Sequence, residues 1–148
     1  MPTMHLSIIT PDRSVFDGEI ESVTLPTADG EITVLPGHVS LIASIQPGSV
    51  VARTRGNEAI FAVAKGVIEV TGKGVQVLTD IADEADTLDE QKIEEAKQRA
   101  EELMNSKRSD AEGFAEATAL LDRELARLRT VRRHRSKPRL SPPTSRTL

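Results

Sequence analysis

Glycine and lysine residues between positions 66 and 73 come closest to a phosphate-binding loop, but their spacing does not fit one. In the pattern Gly-x-x-x-x-Gly-Lys-Ser/Thr, the backbone cradles phosphates and the final hydroxyl binds magnesium. Here Gly66 and Gly72 stand one position too far apart, and Gly74 occupies the place of the hydroxyl residue. We therefore interpret them as turn glycines, and the missing loop argues against an ATP-hydrolysing enzyme.

No other combination of side chains predicts catalysis or a metal site. His5, His38 and His134 are far apart in sequence, and there is no cysteine to serve as thiolate ligand or nucleophile. Serines occur without a Gly-x-Ser-x-Gly nucleophile motif. The carboxylates of the predicted helices are expected on solvated faces. We predict a binding or mechanical protein, not an enzyme, without a metal.

Composition indicates a globular chain with a thin core. Of 148 residues, 38% are hydrophobic, and only three are aromatic, so valine, isoleucine, leucine and alanine must fill the core. The first residues lack the pattern of a signal peptide, and no segment approaches the ~20 apolar residues of a membrane-spanning helix. Any membrane association is therefore expected to come through a partner.

Charge is distributed unevenly along the chain. Residues 81–131 hold 14 acidic and 8 basic side chains, whereas residues 132–148 hold 6 basic and no acidic ones. An acidic body argues against generic nucleic-acid binding, and the basic end has no aromatic residues on which bases could stack.

Short β-type runs separated by turn residues fill positions 4–79. Nine such runs at close, regular spacing predict an all-β sandwich or barrel. The breaks carry turn chemistry, for example Asp17-Gly18, Asp29-Gly30 and Pro47-Gly48. We expect the β-sandwich to comprise residues 1–85, with residues 81–86 as an acidic linker that lacks structure signals.

Two amphipathic helices are predicted to follow, as an antiparallel hairpin over residues 86–133. Thr87 to Glu90 and Ser109 to Glu112 read as capping boxes, in which a hydroxyl and a carboxylate satisfy N–H groups at a helix start. The apolar stripes at helical spacing are Ile93, Ala96, Ala100, Leu103 and Met104, then Phe114, Ala117, Leu121, Leu125 and Leu128. Residues 134–148, with prolines and basic side chains, are predicted as a disordered tail.

The apolar faces of these helices are narrow and rich in alanine. A hairpin with little buried area is held weakly, so one expectation is that it detaches from the sandwich or opens at the 105–109 turn. The alternative is a permanently docked hairpin. The sequence leaves both arrangements open.

The stretch from Gly30 to His38 combines a turn, a strand and a second turn. Asp29-Gly30 predicts a hairpin turn, and alternation predicts a half-buried strand that Pro36-Gly37 ends. His38 is thereby placed in a loop at the sheet edge. Taken alone, this is a sandwich corner with a solvated histidine.

The same stretch, Gly-Glu-Ile-Thr-Val-Leu-Pro-Gly-His, resembles the signature of the epsilon subunits of rotary F-type ATP synthases. Leu41-Ile42-Ala43, Pro47-Gly48, Gly66 to Val70 and Val75 to Asp80 add to this resemblance. It covers residues 4 to about 131. It implies a ten-stranded sandwich with a C-terminal helical hairpin, in a rotor subunit of the central stalk that couples the catalytic hexamer to the c-ring.

The resemblance also implies partners for particular residues. The Glu31 turn would face the c-ring, and Thr10, His38 and Ala43 would face the gamma subunit. The full set of expected contact residues is Thr10, Gly30, Glu31, Leu35, Pro36, Gly37, His38 and Ala43. The helices would extend into the alpha/beta hexamer and inhibit ATP hydrolysis, using Arg123, Arg127 and Arg129. The protein would be peripheral on the cytoplasmic side of a bacterial cell membrane.

Members of this family that bind ATP carry an Ile/Leu-Asp-x-x-Arg-Ala motif, from which this chain departs. Asp89 is present, but Lys92 and Ile93 replace the arginine and alanine, and lysine lacks the bidentate fork of arginine. Arg99, Arg123 and Arg127 fall at positions that the family uses for phosphates. The expectation is therefore no bound cofactor, with weak ATP sensing left open.

A second function from another class is a free-standing β-sandwich adaptor whose hairpin binds an unrelated protein. A rotor subunit should co-purify with gamma and the membrane-bound ATPase, and an adaptor should not.

Overall fold

A computed structural model of the chain describes residues 2–136, with side chains as far as His134. Within this range, ten strands precede two α-helices, which confirms the predicted sandwich and hairpin. The strands are β1 (Met4–Ile9), β2 (Ser14–Ile20), β3 (Ser22–Thr27), β4 (Gly30–Val34), β5 (Leu41–Ile45), β6 (Gly48–Thr54), β7 (Asn57–Val63), β8 (Gly66–Thr71), β9 (Gly74–Thr79) and β10 (Ala82–Glu84). The helices are α1 (Glu90–Ser106) and α2 (Ala111–Ser136).

The strands form one continuous hydrogen-bonded path that folds over on itself. Its order is β10-β7-β6-β3-β5-β8-β9-β1-β2, with β4 paired to β3. Only the pairing of β1 with β9 is parallel among these strands. The path turns at β3, whose end residue Thr27 is the one that pairs with β5, at Ile45. Two layers are thereby brought face to face.

The core between the layers follows from the alternation of side chains along each strand. In β1 and β9, every second residue is buried, as in Leu6 and Ile8 or Val75 and Val77, because successive side chains in a strand point to opposite faces. Phe16 and Phe61 from opposite layers meet edge to face, with ring centroids 5.7 Å apart. The remaining core is aliphatic, as the composition predicts.

Helix α2 covers the outer face of β6 and β7. Val50 and Phe61 of these strands point into the core, so their neighbours Val51 and Ile60 point outward, and both are buried. Contacts of α2 with both strands provide the cover. The hairpin is therefore docked on the sandwich in this structure, a state that both arrangements expected from the sequence include.

Helices α1 and α2 pack against each other through a short apolar seam. Ile93 of α1 contacts Leu128 and Val131 of α2, and Leu88 borders this cluster. Arg132 adds contacts from its guanidinium to Glu90 at 3.5 Å and Glu94 at 3.0 Å. The seam lies between elements of the hairpin itself.

The residues between sandwich and hairpin are structured, which makes the predicted linker wrong. Residues 82–84 pair with β7 as β10, and Ala85–Thr87 form a 3₁₀ turn. The sequence reading missed this strand because three residues are too few to show a period.

The caps of both helices also differ from the prediction. At α1, Asp89 is the cap and accepts hydrogen bonds from the backbone N–H groups of Gln91 and Lys92, while the Thr87 hydroxyl donates to the Glu84 carbonyl. At α2, the first helical hydrogen bond runs from the Phe114 N–H to the Asp110 carbonyl. In each case an aspartate lies closer to the helix than the expected hydroxyl residue.

Helix α2 continues to Ser136, so residues 134–136 of the predicted tail are helical. The rest of the predicted tail, residues 137–148, lies outside the described part of the chain.

Candidate partner-binding surfaces

The Leu35 to His38 turn has the geometry that its sequence predicts. The His38 N–H donates to the Leu35 carbonyl at 3.1 Å, and Gly37 has a φ of 86°, as the third position of a type II turn requires. The His38 Nδ1 lies 2.7 Å from the Val39 carbonyl, and Nδ1 carries a proton because a carbonyl oxygen only accepts. Leu35 and Val39 expose 57% and 76% of their surface beside it.

Glu31 lies at the other end of β4. Gly30 pairs with Thr27 and closes the β3–β4 hairpin, and Glu31 opposes Pro26 in the next pair. From Glu31 to Leu35 the strand covers about 13 Å, at ~3.3 Å per residue. The two predicted contact regions are therefore separated by the length of a strand.

The Glu31 carboxylate is held by the end of α2. Its Oε2 accepts a hydrogen bond at 3.2 Å from a guanidinium nitrogen of Arg133. The two residues are 102 positions apart in sequence, and no local pattern could have predicted the contact.

An exposed apolar face on β5, β8 and β9 was missed by the sequence reading. Ile42 is 74% exposed, and Val67 and Leu78 are 45% exposed. Val67 lies beside Leu78 in the sheet, and Leu78 lies beside Ile9 of β1. Leucine or valine at an outward position of an alternating strand is the signal that could have indicated this face.

Thr10 and Ala43 lie at this part of the molecule but differ in orientation. An open cleft of about 330 Å³ is lined by Ile9, Thr10, Pro11, Lys65, Gly66, Leu78, Thr79 and Asp80. Ala43 is half-buried on the same side of β5 as Leu41, which packs against the core. Its neighbour Ile42 presents the larger exposed surface to a partner.

The five residues predicted to sense ATP do not form a free cluster. The Asp89 carboxylate caps α1, and Arg127 contacts both Asp83 and Glu124 at 2.8 Å. Lys92 and Arg99 are exposed on α1. Among the described side chains, Arg123 alone has a buried nitrogen without a hydrogen-bond partner, its Nε.

The expectation that helix carboxylates are solvated is wrong for Glu124, which is 8% exposed. Its carboxylate accepts from Arg127, which in turn contacts Asp83 on β10. Burial of a carboxylate is tolerated here because a guanidinium compensates its charge.

A buried hydroxyl pair fixes the position of α2 on the sheet. The Ser49 and Thr130 hydroxyl oxygens are 2.5 Å apart, and Thr130 has no exposed surface. With the ion pairs of Arg127 and Arg133, this gives the docked hairpin three specific polar contacts with the sandwich. Its interface therefore contains polar groups that water could satisfy after separation.

No group of histidine and carboxylate side chains in residues 2–136 is suited to hold a metal ion. Neither described helix is long and apolar enough to cross a membrane.

Comparison with known families assigns both parts of the chain. Residues 3–85 match the family model "ATP synthase, Delta/Epsilon chain, beta-sandwich domain", and residues 86–132 match "ATP synthase, Delta/Epsilon chain, long alpha-helix domain". The chain belongs to the ATP synthase delta/epsilon family. The resemblance seen in the sequence is thereby confirmed, and with it the expected role as a rotor subunit of the ATP synthase.

Individual relatives agree with the family. The chain is similar to the ATP synthase epsilon chain of Herminiimonas arsenicoxydans, with 41% identity over 138 residues, 91% of this chain and 97% of the relative. The epsilon chain of Janthinobacterium sp. (strain Marseille) shows the same identity and coverage. A chain of the Euglena gracilis mitochondrial ATP synthase shares the fold, with a TM-score of 0.71 at 21% identity, over 82% of this chain and 78% of that one.

Proposed function

We propose that this epsilon-family subunit couples the gamma subunit to the c-ring through its sandwich and inhibits ATP hydrolysis through its helices. It has no catalytic role of its own in this proposal, and it is bound peripherally at the cytoplasmic side of a bacterial membrane. The observation that carries the proposal is the contrast between two surfaces. One is an exposed apolar face on the sandwich, and the other is a hairpin whose docked interface includes separable polar contacts.

The apolar face suits a permanent partner. Ile42, Val67 and Leu78 lie on a hydrogen-bonded sheet and need no rearrangement to bind, and contiguous exposed apolar residues mark protein interfaces. We assign this face and the His38 turn to gamma, and the Glu31 turn to the c-ring.

Cysteine crosslinking tests the assignment without background, because the chain has no cysteine of its own. In the assembled ATP synthase, His38→Cys is expected to crosslink to gamma and Glu31→Cys to a ring subunit. Asp12→Cys, at an exposed bend, is the control position. If cysteines at positions 31 and 38 both crosslink to the same partner, the assignment of the two turns to different partners is contradicted. Failure of the chain to co-purify with gamma favours the adaptor function.

In the docked hairpin, three arginines of α2 are paired with carboxylates of the same chain. Arg127 contacts Asp83 and Glu124, Arg132 contacts Glu90 and Glu94, and Arg133 contacts Glu31. Arg129 is exposed and makes no ion pair with the described residues. Extension into the hexamer would exchange the Asp83 and Glu31 contacts for carboxylates of the hexamer, and such pairing weakens with salt.

A reversible lock tests the inhibitory role better than truncation does. Cutting after Asp86 would uncover Val51 and Ile60, which α2 now shields, and so could disturb the sandwich. Ser49→Cys combined with Thr130→Cys places two sulfurs where hydroxyls now touch. Oxidation should hold the hairpin docked and raise ATP hydrolysis of the complex, and reduction should restore inhibition. Each single cysteine variant is the control. Hydrolysis that does not respond to the lock contradicts the inhibitory role.

We further propose that ATP binds poorly, because Lys92 replaces an arginine and Arg127 is already paired with carboxylates. Titration of the whole chain should give at best about millimolar affinity, near −4 kcal/mol. Lys92→Arg should tighten it, while Lys97→Arg, on the same helix, should not. A micromolar constant for the unaltered chain contradicts this proposal.

A further inference from the structure

One contact joins the two parts of the proposed function. Arg133 lies near the end of α2, on the hairpin, and Glu31 lies at the β3–β4 turn, on the sandwich. The Glu31 side chain is 54% exposed and the Arg133 side chain 34% exposed. The carboxylate is thus within reach of an external partner while it is held by the hairpin.

We infer that the docked hairpin and the c-ring compete for Glu31, so that ring binding favours release of the hairpin. The inference rests on the proposed assignment of Glu31 to the ring. A cation or hydrogen-bond donor of the ring that approaches this carboxylate meets the Arg133 guanidinium, which already occupies it. Whatever binds Glu31 more tightly in the undocked state must, by linkage, shift the hairpin towards that state.

The strength of the effect follows from the exposure of the pair. Exposed ion pairs contribute from a few tenths to about 1 kcal/mol, which corresponds to about 1.4-fold to fivefold in an equilibrium constant. Competition at Glu31 alone therefore biases the hairpin and does not determine its state. Ser49, Thr130 and Arg127 hold the remainder of the docked interface.

Arg132 supplies a matched control one residue away. It has the same charge and a similar position, but it contacts Glu90 and Glu94 of α1, within the hairpin. Arg132→Gln therefore removes an equal charge without freeing Glu31.

The experiment measures binding of the full chain to a c-ring with its gamma subunit, in the absence of the catalytic hexamer. Arg133→Gln should tighten binding by about 1.4-fold to fivefold because Glu31 is released. Arg132→Gln should leave the affinity unchanged. In the Glu31→Gln background, which should bind more weakly, Arg133→Gln should have no further effect.

A second readout follows the hairpin. The Ser49→Cys and Thr130→Cys pair forms a disulfide only when the hairpin is docked. In the free chain, Arg133→Gln should therefore slow disulfide formation by a similar factor. In the chain that retains Arg133, binding to the ring should slow it as well. If Glu31→Gln binds the ring more weakly but Arg133→Gln leaves ring binding unchanged, the hairpin and the ring do not compete for Glu31. Unchanged binding by Glu31→Gln would overturn the ring assignment itself, and the inference with it.

Discussion

The hydroxyl pair of Ser49 and Thr130 should control whether the hairpin stays docked. Thr130→Val keeps the shape of the side chain and removes its hydroxyl. Ser49, 8% exposed, then loses its partner at a site that is largely shielded from water while α2 is docked. An unsatisfied buried hydroxyl costs about 1–3 kcal/mol.

This cost applies to the docked state only, because water can hydrogen-bond Ser49 once α2 has left the sheet. The docking equilibrium should therefore fall by about fivefold to 150-fold, at ~1.4 kcal/mol per factor of ten. Adding Ser49→Ala should recover most of the loss, since removal of both partners of a hydrogen bond is nearly neutral.

Hydrogen exchange of the α2 backbone amides measures this equilibrium in the free chain, with denaturant unfolding of the sandwich as a separate measure of global stability. Thr118→Val is the control, because the Thr118 hydroxyl donates to Phe114 within the same helix. A loss in docking free energy below about 0.5 kcal/mol for Thr130→Val would contradict this prediction. So would a double variant whose hairpin docks more weakly than that of the single variant.

Three further outcomes follow from the same contacts. Asp83→Asn removes a carboxylate that holds Arg127 in the docked state only, so it should favour the undocked, inhibitory state. ATP hydrolysis of the complex should then fall by about fivefold, as expected for ~1 kcal/mol. Higher hydrolysis would contradict the inhibitory role. Raising salt from about 0.05 to 0.5 M should increase hydrogen exchange of the last turns of α2 more than that of β1, since exposed ion pairs are screened; equal changes would show that ion pairs do not hold these turns. Gly66→Ala should destabilise the sandwich by about 2–4 kcal/mol in denaturant unfolding, because a Cβ there would lie 2.0 Å from the Leu78 carbonyl oxygen. A Cβ at Gly72 meets nothing within 4 Å, so Gly72→Ala should cost under about 0.5 kcal/mol. Equal losses of stability would contradict the close approach at Gly66.

Local chemistry was sufficient to predict most of the fold. Alternating side chains located nine of the ten strands to within four residues at each end, because a strand buried on one face must repeat with a period of two. The Leu35 to His38 turn followed from the fixed φ of proline and the positive φ that glycine accepts. The family signature in the same stretch gave the function that the fold alone does not imply.

The functional surfaces depended on information that single segments do not carry. Glu124 was expected in solvent because helical spacing showed one apolar stripe, whereas α2 buries a second, polar face against β6 and β7. That face is invisible to a hydrophobic pattern, since its buried polar groups are Thr130 and Glu124. Ser49 of β6 is the partner of Thr130, and Arg127 of α2 itself is the partner of Glu124.

The sequence alone was enough to predict nine of the ten strands, most of the turns, the two helices and the family, although the expected break at Asp17-Gly18 lies inside β2. Those features depend on neighbours within a few residues, or on a signature that is read directly. Only the tertiary structure decided that the hairpin is docked and that Arg133 holds Glu31. The Ser49–Thr130 and Glu31–Arg133 contacts join residues that are 81 and 102 positions apart in sequence. Such contacts depend on how separately formed elements pack, and packing requires complementary surfaces on both elements.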